Sequence, residues 1–213
     1  MRVVRIVEDI KNLGVCSRPV VTVGTFDGLH LGHRAIIEEV IKRAKGLRGT
    51  SILVTFEPHP QAVVTPERAP FLLTTKEEKV RLLERTELDV ILILTFTKVF
   101  SQMGARDFIR QILVGGIGLK EIIIGRNHAF GRQRQGRVSE LEQMGPAFGF
   151  SVRSVSPVEV AGRRISSSWI REALTRGDVL QASKLLGRLY SLRGQVVPGT
   201  ARGRMLRFPT ANI

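Results

Sequence analysis

The 213-residue sequence predicts an α/β fold built on a doubly wound parallel sheet. Two observations lead there. Short, β-branched apolar runs end abruptly at glycine, proline or a polar residue, as fully buried strands do. Segments with apolar residues at helical spacing alternate with those runs, which is the order of parallel βαβ units. Hydrophobic residues at 43% leave enough apolar surface for a sizeable core under such a sheet.

Residues 19–24 (P-V-V-T-V-G) read as the first buried strand. Residues 32–45 follow as a helix, with Ile36, Ile37, Val40, Ile41 and Ala44 on one face and basic residues closing the last turn. Residues 51–56 are a second strand. Pro58, Pro60 and Pro66 then predict a long irregular loop. A helix is expected over 75–88, a strand over 90–96, a short helix over 105–114 and a strand over 121–125. Residues 141–148 predict a weak helix broken at Gly145 and Pro146. Residues 152–155 and 158–160 predict edge strands, and 168–175 and 178–186 two final helices. From about Gly187 the chain turns rich in Gly, Arg and Pro with short β-like runs, so a second, β-type unit is expected over 187–213 after a first over 1–186.

A single cysteine, Cys16, excludes an intrachain disulfide and fits a reducing cytosol. No second metal-ligand type lies beside it, so it reads as an inert thiol. The longest apolar run, 90–94, is far below the ~18–20 residues of a membrane span. The N-terminus lacks an apolar signal core. A cytoplasmic protein without a membrane partner is therefore expected. With 33 Lys+Arg against 19 Asp+Glu, the net charge of +14 predicts anionic partners. Aromatic residues at 6%, with one Trp, argue against a nucleic-acid surface, which interleaves basic and exposed aromatic side chains. Nothing in the sequence speaks to oligomeric state.

The most informative stretch is G-T-F-D-G-L-H-L-G-H, residues 24–33. It joins a strand to a helix, where open α/β sheets bind ligands and where a helix N-terminus favours phosphate. Gly24, Gly28 and Gly32 would let backbone approach an anion. His30 and His33, three apart, share one side of a helical turn and can donate to oxygens that gain charge in a transition state. The same pair could bind zinc only with a ligand from elsewhere. Neither a Walker A sequence nor G-x-G-x-x-G is present. A second stretch, I-S-S-S-W-I-R at 165–171, offers helix-capping serines. Arg171 is expected in the first turn, where its charge opposes the dipole unless it faces a phosphate.

Together these two motifs resemble the nucleotidyltransferase module of bacterial bifunctional riboflavin kinase/FAD synthetases. So do F-E-P-H-P at 56–60, the loop G-R-N-H-A-F-G-R-Q-R-Q-G at 125–136, and a tail ending in F-P-T-A-N-I. The resemblance runs from Gly24 to Ile213. It implies a Rossmann-like nucleotidyltransferase fold followed by the start of a riboflavin kinase β-barrel. It also implies transfer of AMP from ATP to FMN, giving FAD and pyrophosphate, with Mg²⁺ on the triphosphate.

Residue roles follow from the same resemblance. His30 and His33 would contact the ATP phosphates. Gly24, Phe26, Asp27 and Gly28 would line the nucleotide site. Ser166, Ser167, Ser168 and Arg171 would hold the β/γ-phosphates, and Asn127 would sit at the catalytic centre. Pro58, His59 and Phe130 would form the flavin side, although a core anchor is the other reading of Phe130. Thr210 and Asn212 would be metal-site remnants of the kinase. Arg126, Arg132, Arg134 and Arg137 form a solvated basic loop or steer anionic substrates. The alternative is a related nucleotidyltransferase acting on a non-flavin phosphate, which would not need the P-H-P loop.

Two departures stand out. Asn127 occupies a position where many relatives carry Asp. Arg207 stands where relatives have Gly, and a side chain there should resist positive φ. Because the chain stops after P-T-A-N, a truncated kinase without riboflavin phosphorylation is expected.

Overall fold

The central strands are apolar on both faces, which only a sheet covered on both sides can satisfy. The computed structural model describes residues 3–197 together with 203, 207 and 208. Its strands, in chain order, are β1 (Arg5–Val7), β2 (Val20–Val23), β3 (Ser51–Glu57), β4 (Val90–Thr95), β5 (Glu121–Gly125), β6 (Ala129–Phe130), β7 (Gly136–Arg137), β8 (Ser151–Val155), β9 (Glu159–Val160) and β10 (Arg163–Arg164). Six of them form one sheet in the order β1-β4-β3-β2-β5-β8, parallel throughout. The chain steps outward from β2 to β3 and β4, then returns to β5 and β8 on the other side of β2. The strand order therefore reverses between β2 and β5, and the crevice beyond their carboxyl ends is where such sheets take ligands.

The helices are α1 (Leu31–Leu47), α2 (Pro60–Val64), α3 (Lys76–Glu84), α4 (Lys98–Ser101), α5 (Ala105–Asp107), α6 (Val138–Phe148), α7 (Ser167–Thr175) and α8 (Val179–Leu186). Val21, Ile52, Leu92 and Ile122 face one layer, with Phe108, Ile109, Leu113 and Leu141. Val20, Leu53, Ile91 and Ile123 face the other, with Ile37, Val40 and Ala44 of α1 and Leu83 of α3. This is the doubly wound arrangement. A third cluster joins α7 and α8 to Leu73 through Ile165, Trp169, Ile170, Leu185 and Leu186.

Several local expectations are corrected. Pro60 and Pro66 each lead a helical turn, because proline at the first helical position loses no bond the helix needs. Helix α6 runs through Gly145 and Pro146 to a left-handed Gly149 cap. Pro146 lies two residues from its end, where little of the helix remains to be disrupted. Residues 108–116 wind as a π-helix that continues from α5, closed by Ile117 N–H donating to the Ile112 carbonyl. The run at 158–160 contributes β9 to a separate hairpin with β10 rather than an edge of the main sheet. Strand β1, unforeseen, forms the far edge beside β4. Arg207 does adopt a positive φ of 59°. Thr210 and Asn212 lie outside the described residues. Before them the chain leans on the first unit: Arg188 Nη1 donates to the Gly28 carbonyl (2.8 Å) and Ser191 Oγ to Glu78 Oε1 (2.9 Å).

Candidate active site

At the carboxyl end of β2 the chain makes a tight, strained passage into α1. Phe26, Gly28 and Leu29 all have positive φ, at 49°, 80° and 41°. Two of these are not glycine, a backbone cost that proteins retain chiefly at functional sites. A side chain on Gly28 would meet Leu73 at 2.7 Å, and one on Gly32 would meet the His30 ring at 3.2 Å. The space that these glycines leave is filled by the protein's own side chains, not kept open for an anion.

His30 is the N-cap of α1, its Nδ1 accepting from the His33 N–H at 3.2 Å. A backbone N–H only donates, so Nδ1 carries no proton and His30 presents Nε2–H as a donor. The two rings stack, with centroids 3.6 Å apart and planes at 12°. Phe26, 2% exposed, meets His33 edge-on at 5.1 Å. Its aromatic face is a wall of the histidine pair, leaving only its backbone for a nucleotide. Burial pushes the His30 pKa down to about 4, and burial with the neighbouring His30 and Lys79 holds His33 well below its usual value. Both imidazoles are neutral donors at neutral pH. His33 Nδ1 is enclosed and without a hydrogen-bond partner among the described residues.

Asp27 is 3% exposed, and its carboxylate serves the protein. It accepts from the Leu73 N–H (3.0 and 3.1 Å), from the Thr74 N–H (3.1 Å) and hydroxyl (3.2 Å), and from Arg171 Nη2 at 2.5 Å. Its carbonyl accepts from Ser167 Oγ at 2.9 Å. Asp27 thus ties the β2–α1 loop to the 71–74 segment and to α7. Arg171 also donates through Nε to the Phe71 carbonyl at 2.8 Å. It is the fifth residue of α7, in the second turn rather than the first, and Asp27 balances its charge. Ser166 caps α7 by accepting from the Trp169 N–H (3.2 Å), while Ser168 is exposed.

His59 caps α2, Nδ1 accepting from the Gln61 N–H at 3.2 Å, so it too presents Nε2–H. Burial lowers its pKa, the Asp27 charge acts against that shift, and the Arg171 and Lys79 charges add to it. Pro58 is exposed beside it. Sequence reasoning missed Lys79 of α3, 8% exposed, whose ammonium donates to the Thr25 carbonyl at 3.4 Å and lies 3.8 Å from Glu57. A lysine almost wholly buried beside the β2–α1 loop was its only signal, and burial is not visible in sequence.

The loop after β5 exposes Asn127. Phe130 is 8% exposed and packs on Phe108 with centroids 6.0 Å apart. It anchors the loop in the core instead of offering a free face to a flavin. Asn127 and His128 line an open cleft of about 470 Å³ with Arg126, Arg137, Val138 and Ser139. Its lining includes neither His30 nor His33. Among the described residues no group of three His, Cys, Asp or Glu could hold a metal, which leaves the zinc reading without its third ligand.

Comparisons with known proteins give the family. The model of the FAD synthetase family matches residues 15–169, and that of riboflavin kinase matches 186–213. A bifunctional riboflavin kinase/FMN adenylyltransferase of Buchnera aphidicola (subsp. Acyrthosiphon pisum) is 37% identical over all of this chain and 67% of its own length. The crystal structure of a protein named as a macrolide-efflux protein, from Streptococcus pneumoniae, matches with TM-score 0.83 and 30% identity, over 99% of this chain and 68% of that one. Among the described residues, no helix is long and apolar enough to cross a membrane. A pantoate-beta-alanine ligase from Francisella tularensis shares the fold alone, at TM-score 0.51 and 14% identity over 90% of both chains. By its matched family model, its similarity to the bifunctional enzyme and its fold, the chain belongs to the FAD synthetase family.

Proposed function

We propose that this chain is an FMN adenylyltransferase, joining the AMP of ATP to the phosphate of FMN. The observation that carries the reading is the pair of stacked, neutral imidazoles at the N-terminus of α1, at the point where the strand order reverses. An FMN phosphate oxygen forms the new bond to the α-phosphorus, and the bond from that phosphorus to the bridging oxygen of pyrophosphate breaks. The nucleophile is already anionic, so no side-chain nucleophile is required. What the protein must supply is positioning and compensation of negative charge. The Nε2–H of His30 and the N–H groups that open α1 suit oxygens that gain charge in the transition state. His59 and Pro58 border the flavin side. The polar cleft beside Asn127, with Arg126 and Arg137 on its walls, favours approach of anionic substrates.

A Mg²⁺ would arrive on the triphosphate. Bound there, it would neutralise phosphate oxygens, with the Asn127 amide oxygen as the protein ligand it would meet. The reading is tested by incubating the protein with ATP, Mg²⁺ and FMN and separating the flavins. FAD and pyrophosphate should appear together, cease when EDTA is added, and be scarce with riboflavin as acceptor. Equal product from riboflavin and FMN, or none from either, would contradict it.

A further inference from the structure

We propose that Lys79 binds the phosphate of FMN and is what makes the site prefer FMN to riboflavin. The inference rests on the adenylyltransferase reading and adds a substrate-contacting residue to it.

Helix α3 is capped by Thr75, whose hydroxyl accepts from the Glu78 N–H (3.1 Å). The helix sends Lys79 inward on the same face as Leu83, so the side chain is 8% exposed. Lysine is rarely buried to this degree unless well paired. Here the pairing is poor. The ammonium has three protons to donate, and among the described residues its contacts are one long bond to the Thr25 carbonyl (3.4 Å) and a 3.8 Å approach to Glu57. The second exceeds hydrogen-bond length. A tightly built structural pair would show contacts near 2.8 Å. The neighbouring Lys76 shows what α3 makes of a purely structural lysine: it is partly exposed and meets Glu8 at 2.7 Å.

The two acceptors also locate the ammonium. Thr25 lies in the loop from β2 that ends at His30, the cap of α1, one turn before His33. Glu57 ends β3 and precedes Pro58 and His59. The ammonium therefore sits at the seam between the nucleotide loop and the flavin-side loop, where an attacking phosphate has to lie. His33 Nδ1, on the helix that the β2–α1 loop leads into, is also enclosed and without a hydrogen-bond partner among the described residues. The charges acting on Lys79 come from Glu57 and Asp27, which favour its ammonium form, and from Lys76, which opposes it; burial is the largest influence and also opposes it. A bound phosphate dianion would supply the counter-charge that the protein leaves short.

The test uses Lys79→Met, Lys79→Arg and, as a control on the same helix, Lys76→Met. Flavin binding without turnover is read from quenching of flavin fluorescence, with FMN and riboflavin titrated separately. The wild-type protein should prefer FMN by about 10–100-fold, the range of a charge-assisted contact. Lys79→Met should bring the two flavins within about twofold of each other and leave the melting temperature equal or higher, because a poorly paired buried charge has been removed. Lys79→Arg should keep part of the preference, and Lys76→Met all of it. An unchanged preference in Lys79→Met, or no preference in the wild type, would overturn the inference. If Lys79→Met fails to fold, an Arg variant that folds but binds both flavins alike would also overturn it. Failure of the parent reading looks different: FMN is still preferred over riboflavin, but no FAD forms with ATP.

Discussion

Asp27 and Arg171 carry a consequence at the scale of single residues. Their ion pair is largely buried, with side-chain exposures of 4% and 14%. Removing one partner leaves the other without its counter-charge, a change that typically costs about 3–5 kcal/mol. Arg171→Ala should lose roughly 2–3 kcal/mol, at the low side because Asp27 keeps its three donors from Leu73 and Thr74. Adding Asp27→Asn to Arg171→Ala should recover part of that loss in urea unfolding and none of the activity. Full recovery of activity would mean that Arg171 only balances Asp27. His30 sets a pH dependence. Its folded pKa of about 4 lies below the ordinary 6.5, so between those values the unfolded chain binds the extra proton. The associated stability is complete above pH 6.5 and lost as pH falls toward 4, by about 3 kcal/mol. His30→Asn, which keeps a capping oxygen, should flatten that segment of the stability profile; an unchanged slope would contradict the assignment. Motif spacing made His30, His33 and the capping Ser166 legible in the sequence. It did not show that the Phe26 and Asp27 side chains hold the loop, because a pattern of residue types does not distinguish a side chain that faces outward from one that packs against its own protein.

Among the elements, the segment from β5 to α6 makes the sharpest prediction. Phe130 fills the core beside Phe108. A side chain on Gly131, at φ 71°, or on Gly136 would strike Ala105, at 2.8 and 2.7 Å. The loop that exposes Asn127 is thus pinned close against α5. Phe130→Ala should cost about 3–5 kcal/mol in stability. It should also raise KM for FMN, since the loop loses its seat. Asn127→Asp should stay within about tenfold of wild-type activity, roughly 1.4 kcal/mol of barrier, whereas Asn127→Ala should not. A Phe130→Ala protein as stable as wild type would show that the ring is not an anchor. Apolar runs made the strands at β2, β3, β4 and β5 readable, and Thr75, Ser166 and Asp178 all serve as caps where sequence expects helices to begin. The short helical turns led by Pro60 and Pro66 were hidden because proline signals both a break and a start. Strand β1 was hidden because three residues, two of them exposed, carry too little alternation to register.

On the scale of the whole molecule, the topology brings the loops after β2, β3 and β5 to one edge of the sheet, and helix α7 joins them through Asp27. No run of adjacent residues contains that site. It exists because parallel strands point every carboxyl end the same way. The +14 charge then suits substrates that carry phosphate, and raising ionic strength should raise KM for FMN and ATP as screening sets in. The central claim is that the α-phosphorus of ATP is the atom attacked. Parallel reactions with FMN, Mg²⁺ and ATP labelled with ³²P at either the α- or the γ-position test it most directly. The account predicts α-label recovered in FAD and γ-label recovered only in pyrophosphate; γ-label in a flavin product, or α-label absent from FAD, would contradict it.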